Sequence, residues 1–165
     1  MWIVAKYNTK ELSLLKRDFK KKLGDSVNFY IPKIKYQKNI KNKLKFCEKF
    51  ILEGYLFCYD FKFQNQTILN SLKYTKGLKY FLQNSKNDQK QITYFLDYCK
   101  KFENKEGYIT QGFFNDKNIK KIKFLEGPFA NMVFDIFSKN KNNLRILIGS
   151  IETVIKKDTY LYCSA

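Results

Sequence analysis

Histidine is absent from this chain, and proline occurs twice and glycine seven times in 165 residues. Without imidazole there is no Ser-His or Cys-His nucleophile pair, and the commonest general base is missing. The usual zinc ligand sets are also out of reach. The four cysteines, Cys47, Cys58, Cys99 and Cys163, are far apart and form no C-x-x-C pair. Such thiols are expected to be reduced and mostly buried, in a cytoplasmic protein. The carboxylates Glu53, Asp60 and Asp97 show no metal-binding spacing, so no metal, no cofactor and no enzymatic activity is expected. Long apolar runs are missing as well: none approaches the roughly 18 residues of a membrane span. Met1 to Leu12 has no basic lead before a long apolar stretch, so no signal peptide is expected. Acidic residues are scarce, 15 against 32 basic, which leaves a net charge of +17. A surplus of that size attracts polyanions such as DNA, RNA or ribosomes. Compositional drift is the competing explanation, because the chain is rich in lysine, asparagine, isoleucine, phenylalanine and tyrosine, whose codons are AT-rich.

Apolar mass is ample, at 44% hydrophobic residues with 16 Phe and 12 Tyr, so a packed core is affordable and wholesale disorder is excluded. Trp2 to Tyr7 reads as a short apolar strand. Thr9 is placed to cap a helix over residues 10–23, where Leu12, Leu15, Phe19 and Leu23 form one stripe and Gly24 a stop. Lys16, Arg17, Lys20 and Lys21 lie mainly off that stripe, as either a solvated face or a nucleic-acid face. Residues 29–36 read as a strand in which Pro32 marks an edge or a start, and residues 37–46 as a basic hairpin tip. Residues 50–61 read as a second strong strand entered at Gly54, with half-buried alternation of its aromatics. A short helix (66–74), a turn at 75–77, a strand (78–82), a loop (84–89) and a helix (91–102) follow. The last of these has Ile92, Phe95, Leu96, Cys99 and Phe102 at helical spacing.

Residues 103–118 are polar, hold two glycines and read as a linker. Beyond them, 119–165 offers short apolar runs with the spacing of a small β-barrel. Phe129, Val133, Ile136 and Phe137, and also Leu144, Leu147, Ile148, Ile151 and Ile155, would equally make helical stripes. Gly149 within the second stripe costs a helix about 1 kcal/mol, so a barrel is expected. The expected fold is α+β: an N-terminal α/β sandwich with an antiparallel sheet (1–102), a linker (103–118) and a small SH3-like barrel (119–165).

The run Lys121 to Phe137, KIKFLEGPFANMVFDIF, resembles a KOW motif, with Gly127 and Pro128 setting a turn and Phe129 returning to the barrel core. The Trp2 strand, a following helix, YIP, EGYLFCYDF and TKGLKYFL stand in the order of a NusG N-terminal (NGN) domain. Over nearly its whole length the chain therefore resembles the NusG family of transcription elongation and antitermination factors. Tyr55-Leu56-Phe57 and Thr75-Lys76-Gly77 lean toward the specialised RfaH-like paralogues. The resemblance implies contact with the RNA polymerase clamp through Tyr55 and Phe57, with Trp2 in support; for Phe57 an ordinary core position stands equally open. It places Lys16, Arg17, Lys20, Lys21, Thr75 and Lys76 toward the non-template DNA strand, with Tyr74 stacking on an extruded base. The KOW barrel would recruit the small ribosomal subunit or Rho, and the protein would act as a cytoplasmic monomer that suppresses pausing or termination. The sequence departs from the family at Leu52-Glu53-Gly54, where a proline is usual, and near Phe134, where the KOW motif carries a second glycine. A ribosome- or RNA-associated KOW protein that does not act on polymerase is the other reading of the charge and the barrel.

Overall fold

The computed structural model describes residues 1–40, 43–114, 120–148, 151–157 and 159–165. In chain order the elements are β1 (Trp2–Tyr7), α1 (Leu12–Leu23), β2 (Asn28–Tyr30), β3 (Lys33–Ile40), β4 (Lys43–Phe50), β5 (Tyr55–Tyr59) and α2 (Gln66–Leu72). After these come β6 (Leu78–Phe81), α3 (Gln89–Lys101), β7 (Lys121–Phe124), β8 (Val133–Lys139), β9 (Asn143–Ile148), β10 (Ile151–Lys156) and β11 (Tyr162–Ser164). They pack as two compact units, one of residues 1–32 and 50–98 and one of residues 33–49 and 99–165. This division differs from the sequential one at 102 and 118, because the β3–β4 ribbon packs with the C-terminal segment. The expected basic hairpin tip falls partly on residues 41 and 42, which lie outside the described residues.

In the first unit four strands form an antiparallel sheet in the order β2-β5-β1-β6. Alternation along β1 sends Ile3, Ala5 and Tyr7 to one face, where they share a core with Leu56 and Cys58 of β5. α1 closes that face with Leu15, Phe19 and Leu23, the stripe expected from the sequence, and α2 adds Leu69 and Leu72. Burying each such side chain stabilises the fold by about 1.5–3 kcal/mol. The opposite face carries Val4 and Phe57, which pack with Leu96, Ile92 and Phe95 of α3. Covering on both faces is why Leu56, Phe57 and Cys58 are buried in succession rather than half-buried in alternation. Gln89, in the first turn of α3, holds the start of β1 by its amide: Oε1 accepts from Trp2 N at 2.9 Å, and Nε2 donates to Trp2 O at 2.7 Å.

Two boundaries differ from the sequence reading. Thr9 does not cap α1: it opens a short 3-10 turn (Thr9–Glu11) that is capped by Asn8, whose side chain accepts from Lys10 N, and α1 follows from Glu11 without a side-chain cap. Asparagine outranks threonine as a cap, so the preceding residue takes the role. The single strand expected over 29–36 divides at Pro32, which has no N–H for a sheet ladder; β2 ends before it and β3 starts after it.

In the second unit five antiparallel strands run β10-β9-β8-β7-β11. All five contribute to one core, with Ile122 and Phe124, Phe134, Leu144 and Ile146, Ile155 and Tyr162. A small β-barrel of SH3-like strand order is the result, and the β period prevails over the helical one. On β8 it buries Phe134 while leaving Val133 and Phe137 exposed. The segment 103–114 is folded rather than a plain linker. Ile109 is buried and donates its N–H to Lys33 O at 2.8 Å, Glu103 and Ile109 form a bridge, and Gln111–Phe114 make a 3-10 turn. Residues 115–118 of the expected linker lie outside the described residues, as does Gly149. Among the described residues, no helix is long and apolar enough to cross a membrane.

Candidate functional site

The first unit presents an open apolar groove of about 350 Å³, whose walls include Val4, Tyr55, Phe57, Leu52, Leu82 and Ile92. The sheet supplies its floor, α3 one wall and the turns at 51–54 and 82–85 the rim. Phe57 is only 4% exposed, and its ring stacks on Phe95 with centroids 5.6 Å apart. Its part is to support the floor. Tyr55 is half-buried and reaches the groove, with Lys6 Nζ 3.9 Å from its ring centroid. Tyr80, opposite Lys6 across the sheet, has its hydroxyl pushed up by a hydrogen bond with Tyr55. Trp2 is half-buried against the α3 side of the sheet and packs on Tyr59 at 5.1 Å.

A second surface is basic. On α1, Arg17, Lys20 and Lys21 are exposed, with Arg17 Nε 3.3 Å from Asp18 and Lys20 Nζ 3.6 Å from Asp25. Such exposed pairs contribute about 0–1 kcal/mol and yield readily to another anion. Lys16 is half-buried with Nζ 5.7 Å from the Phe29 ring centroid. Lys22, which the sequence reading passed over, links this helix to the α2–β6 turn. Its Nζ donates to Ser71 O and to Thr75 Oγ1, both at 3.1 Å. Thr75, expected at the DNA, is 5% exposed with its hydroxyl engaged by that lysine. Its N–H and carbonyl also hold the turn, bonding Leu72 O and Leu78 N. Thr75 therefore shapes the turn that presents its neighbours, Tyr74 at 92% exposure and the exposed Lys73 and Lys76. Lys22 was discoverable in principle, since it stands in an unbroken lysine run.

The turn at Gly127 and Pro128 belongs to the barrel. Gly127 has φ +80°, and a Cβ there would stand 2.3 Å from Tyr160 Cδ1. Its N–H donates to Gln37 Oε1 at 3.0 Å. Phe129 packs against the barrel core, 5.8 Å from Phe124 and 5.7 Å from Phe134. Asn131, at φ +70°, completes the turn by donating its N–H to Phe124 O at 2.8 Å.

Near that turn the second unit has a polar cavity of about 430 Å³, whose walls include Lys35, Phe46, Tyr108, Gln111, Glu126 and Tyr160. Tyr108 donates its hydroxyl to Glu48, which also pairs with Lys33 at 3.4 Å. The hydrogen bond from Tyr108 holds the Glu48 carboxyl below its ordinary range, and the same bond pushes the Tyr108 hydroxyl up. The Tyr108–Glu48 contact is not legible from local sequence, because it joins residues sixty positions apart. Of the carboxylates considered for metal chemistry, Asp60 is buried as a cap, accepting from Lys62 N at 2.8 Å and Ser26 Oγ at 2.9 Å.

The molecule is thus an α+β protein with an antiparallel sheet between helices in one unit and a five-stranded barrel in the other. Among solved structures, NusG from Thermotoga maritima is similar at 13% identity and a TM-score of 0.37, over 99% of this chain and 96% of that one. The MjSpt4:Spt5 complex is similar at 10% identity and a TM-score of 0.31, over 100% and 98%. No protein-family model matches the sequence, and no curated protein matches it.

Proposed function

We propose that this chain is a NusG-type transcription elongation factor with an RfaH-like lean, which docks on the RNA polymerase clamp and follows the upstream non-template DNA strand. The observation that carries the reading is the pairing, on one small unit, of an apolar groove with a lysine-rich end bearing an exposed aromatic. The two surfaces share no residue. The groove suits an apolar segment of a protein, and Tyr55 is its accessible aromatic anchor. Lys20, Lys21 and Lys76 with Tyr74 suit a single strand, whose phosphates attract cations and whose unstacked bases stack on aromatic rings. Lys16 and Arg17 extend the basic face, while Thr75, Phe57 and Trp2 act by positioning. The motifs EGYLFCYDF, TKG and LEGPFAN fall on the groove strand, the Tyr74 turn and the barrel turn, which is their order in the family.

The mechanism is bridging. A factor bound at once to the clamp and to the upstream strand favours the closed, processive polymerase and suppresses pausing or termination, without making or breaking a bond. The barrel would recruit a second partner, the ribosome or Rho, through its outer face, where Val133, Phe137 and Val154 are exposed. Replacing Tyr55 by alanine should abolish co-purification with RNA polymerase while leaving the far-UV circular dichroism unchanged. Equal recovery of polymerase by wild type and Y55A would count against the groove as the docking site.

A second reading is a ribosome- or RNA-associated protein independent of polymerase. The lysine surplus favours it, above all from Lys33 to Lys49, where lysine recurs every two to four positions against the single carboxylate of Glu48. Retention that rests on phosphate contacts alone would fall steeply with salt.

A further inference from the structure

The second unit holds a combination that the polymerase reading does not use. The β3–β4 ribbon is dense in lysine, and along β4 alternation puts Lys43, Lys45 and Lys49 on one face and Phe46 and Glu48 on the other. Phe46 faces the 430 Å³ cavity together with Lys35, whose Nζ lies 5.4 Å from the centroids of both Phe46 and Tyr108. The Phe46 ring is 60% exposed, an aromatic face held at the mouth of a cavity. That volume lies in the range of roughly 300–1,000 Å³ typical of small-ligand sites.

The inner wall is polar and ordered by consecutive backbone amides. Glu126 Oε1 accepts from Leu161 N at 2.7 Å, and Gln111 Oε1 accepts from Tyr162 N at 2.6 Å. The second bond fixes which way the Gln111 amide points, since only its oxygen can face an N–H. Gln111 Nε2 is buried and has no hydrogen-bond partner among the described residues. A buried donor left so is unfavourable, and an acceptor entering the cavity that Gln111 lines would relieve it. Lys35 is paired with Glu106 at 3.2 Å, but both side chains are substantially exposed and the pair is easily exchanged for a phosphate.

We infer that this cavity receives one unstacked base of a single-stranded polynucleotide, stacked on Phe46, with the flanking phosphates drawn to Lys35 and to Lys33, whose Nζ lies 4.4 Å from the Tyr108 ring centroid. A flat aromatic ring, a cation over one face of it and an unsatisfied amide donor match such a base and its backbone together. Duplex would not fit, because its bases are stacked and withdrawn. The site lies outside the surfaces assigned to polymerase and to the non-template strand, so it stands or falls independently of that reading.

Fluorescence anisotropy with the full chain tests it, using labelled oligouridine, the matching single-stranded DNA, an abasic strand of the same length and a duplex. Either single strand with bases should bind more tightly than the abasic strand or the duplex. Phe46→Ala should weaken that base-dependent binding by roughly tenfold, and Lys35→Gln should reduce its salt dependence. Lys20→Gln with Lys21→Gln, on the first unit, should leave the Phe46 effect intact. Equal binding of abasic and base-bearing strands would overturn the inference, and so would wild-type affinity in both F46A and K35Q proteins with unchanged circular dichroism.

Discussion

Gly127 shows how much one residue can settle. Its positive φ disfavours any side chain, and Tyr160 occupies the space a Cβ would need. Gly127→Ala should therefore destabilise the protein by about 2 kcal/mol or more, read as a lower denaturant midpoint. Adding Tyr160→Ala should recover the steric part of that loss and leave the backbone part. Glu48 and Tyr108 give a prediction in pH. Glu48 is held below its ordinary range in the fold, so its contribution is present above that range and is lost as pH falls through the folded value. Tyr108 is held above its ordinary range, so its contribution is present below it and is lost as pH rises through the folded value. Removing the hydroxyl in Tyr108→Phe should lower stability around neutrality and flatten both limbs of the stability–pH curve measured by urea unfolding. The Gly127 turn was legible in sequence because two scarce residue types stand together. The Glu48–Tyr108 bond was not, because nothing local marks two residues that meet only through the folded chain.

At the level of elements, α1 and α3 announced themselves by apolar spacing, and β1 by a short apolar run. What the sequence misjudged was the environment of β5. EGYLFCYDF alternates like a strand with one wet face, yet α3 covers the face that carries Phe57. A strand's own pattern cannot report what packs on it from elsewhere. Phe57 and Tyr55, two positions apart, should accordingly separate in experiment. Phe57→Ala should cost about 3–5 kcal/mol, a drop in thermal midpoint visible in calorimetry, whereas Tyr55→Ala should cost far less while losing its contact. Thr75 belongs with Phe57, since each serves by holding an exposed neighbour in place. Residues 103–114 looked like a linker because they are polar and rich in glycine. Burial of Ile109 and its hydrogen bond to Lys33 O make them part of a packed unit, a tertiary fact with no periodic trace.

For the whole molecule, two units carry distinct surfaces: an apolar groove and a basic, tyrosine-bearing end in one, and a barrel with an exposed apolar outer face in the other. The charge of +17 raises affinity for any polyanion, so nucleic-acid binding alone decides little about function. Coupling between the groove and the basic end is what the proposed bridging requires. The direct measurement is the dwell time at pause sites of RNA polymerase from the same organism, elongating on a defined template with and without the full chain. The bridging account predicts shorter pauses with wild type, no effect from Tyr55→Ala, and a reduced effect from Lys20→Gln with Lys21→Gln. Unchanged pausing at concentrations that saturate binding of the wild-type chain to nucleic acid would contradict it.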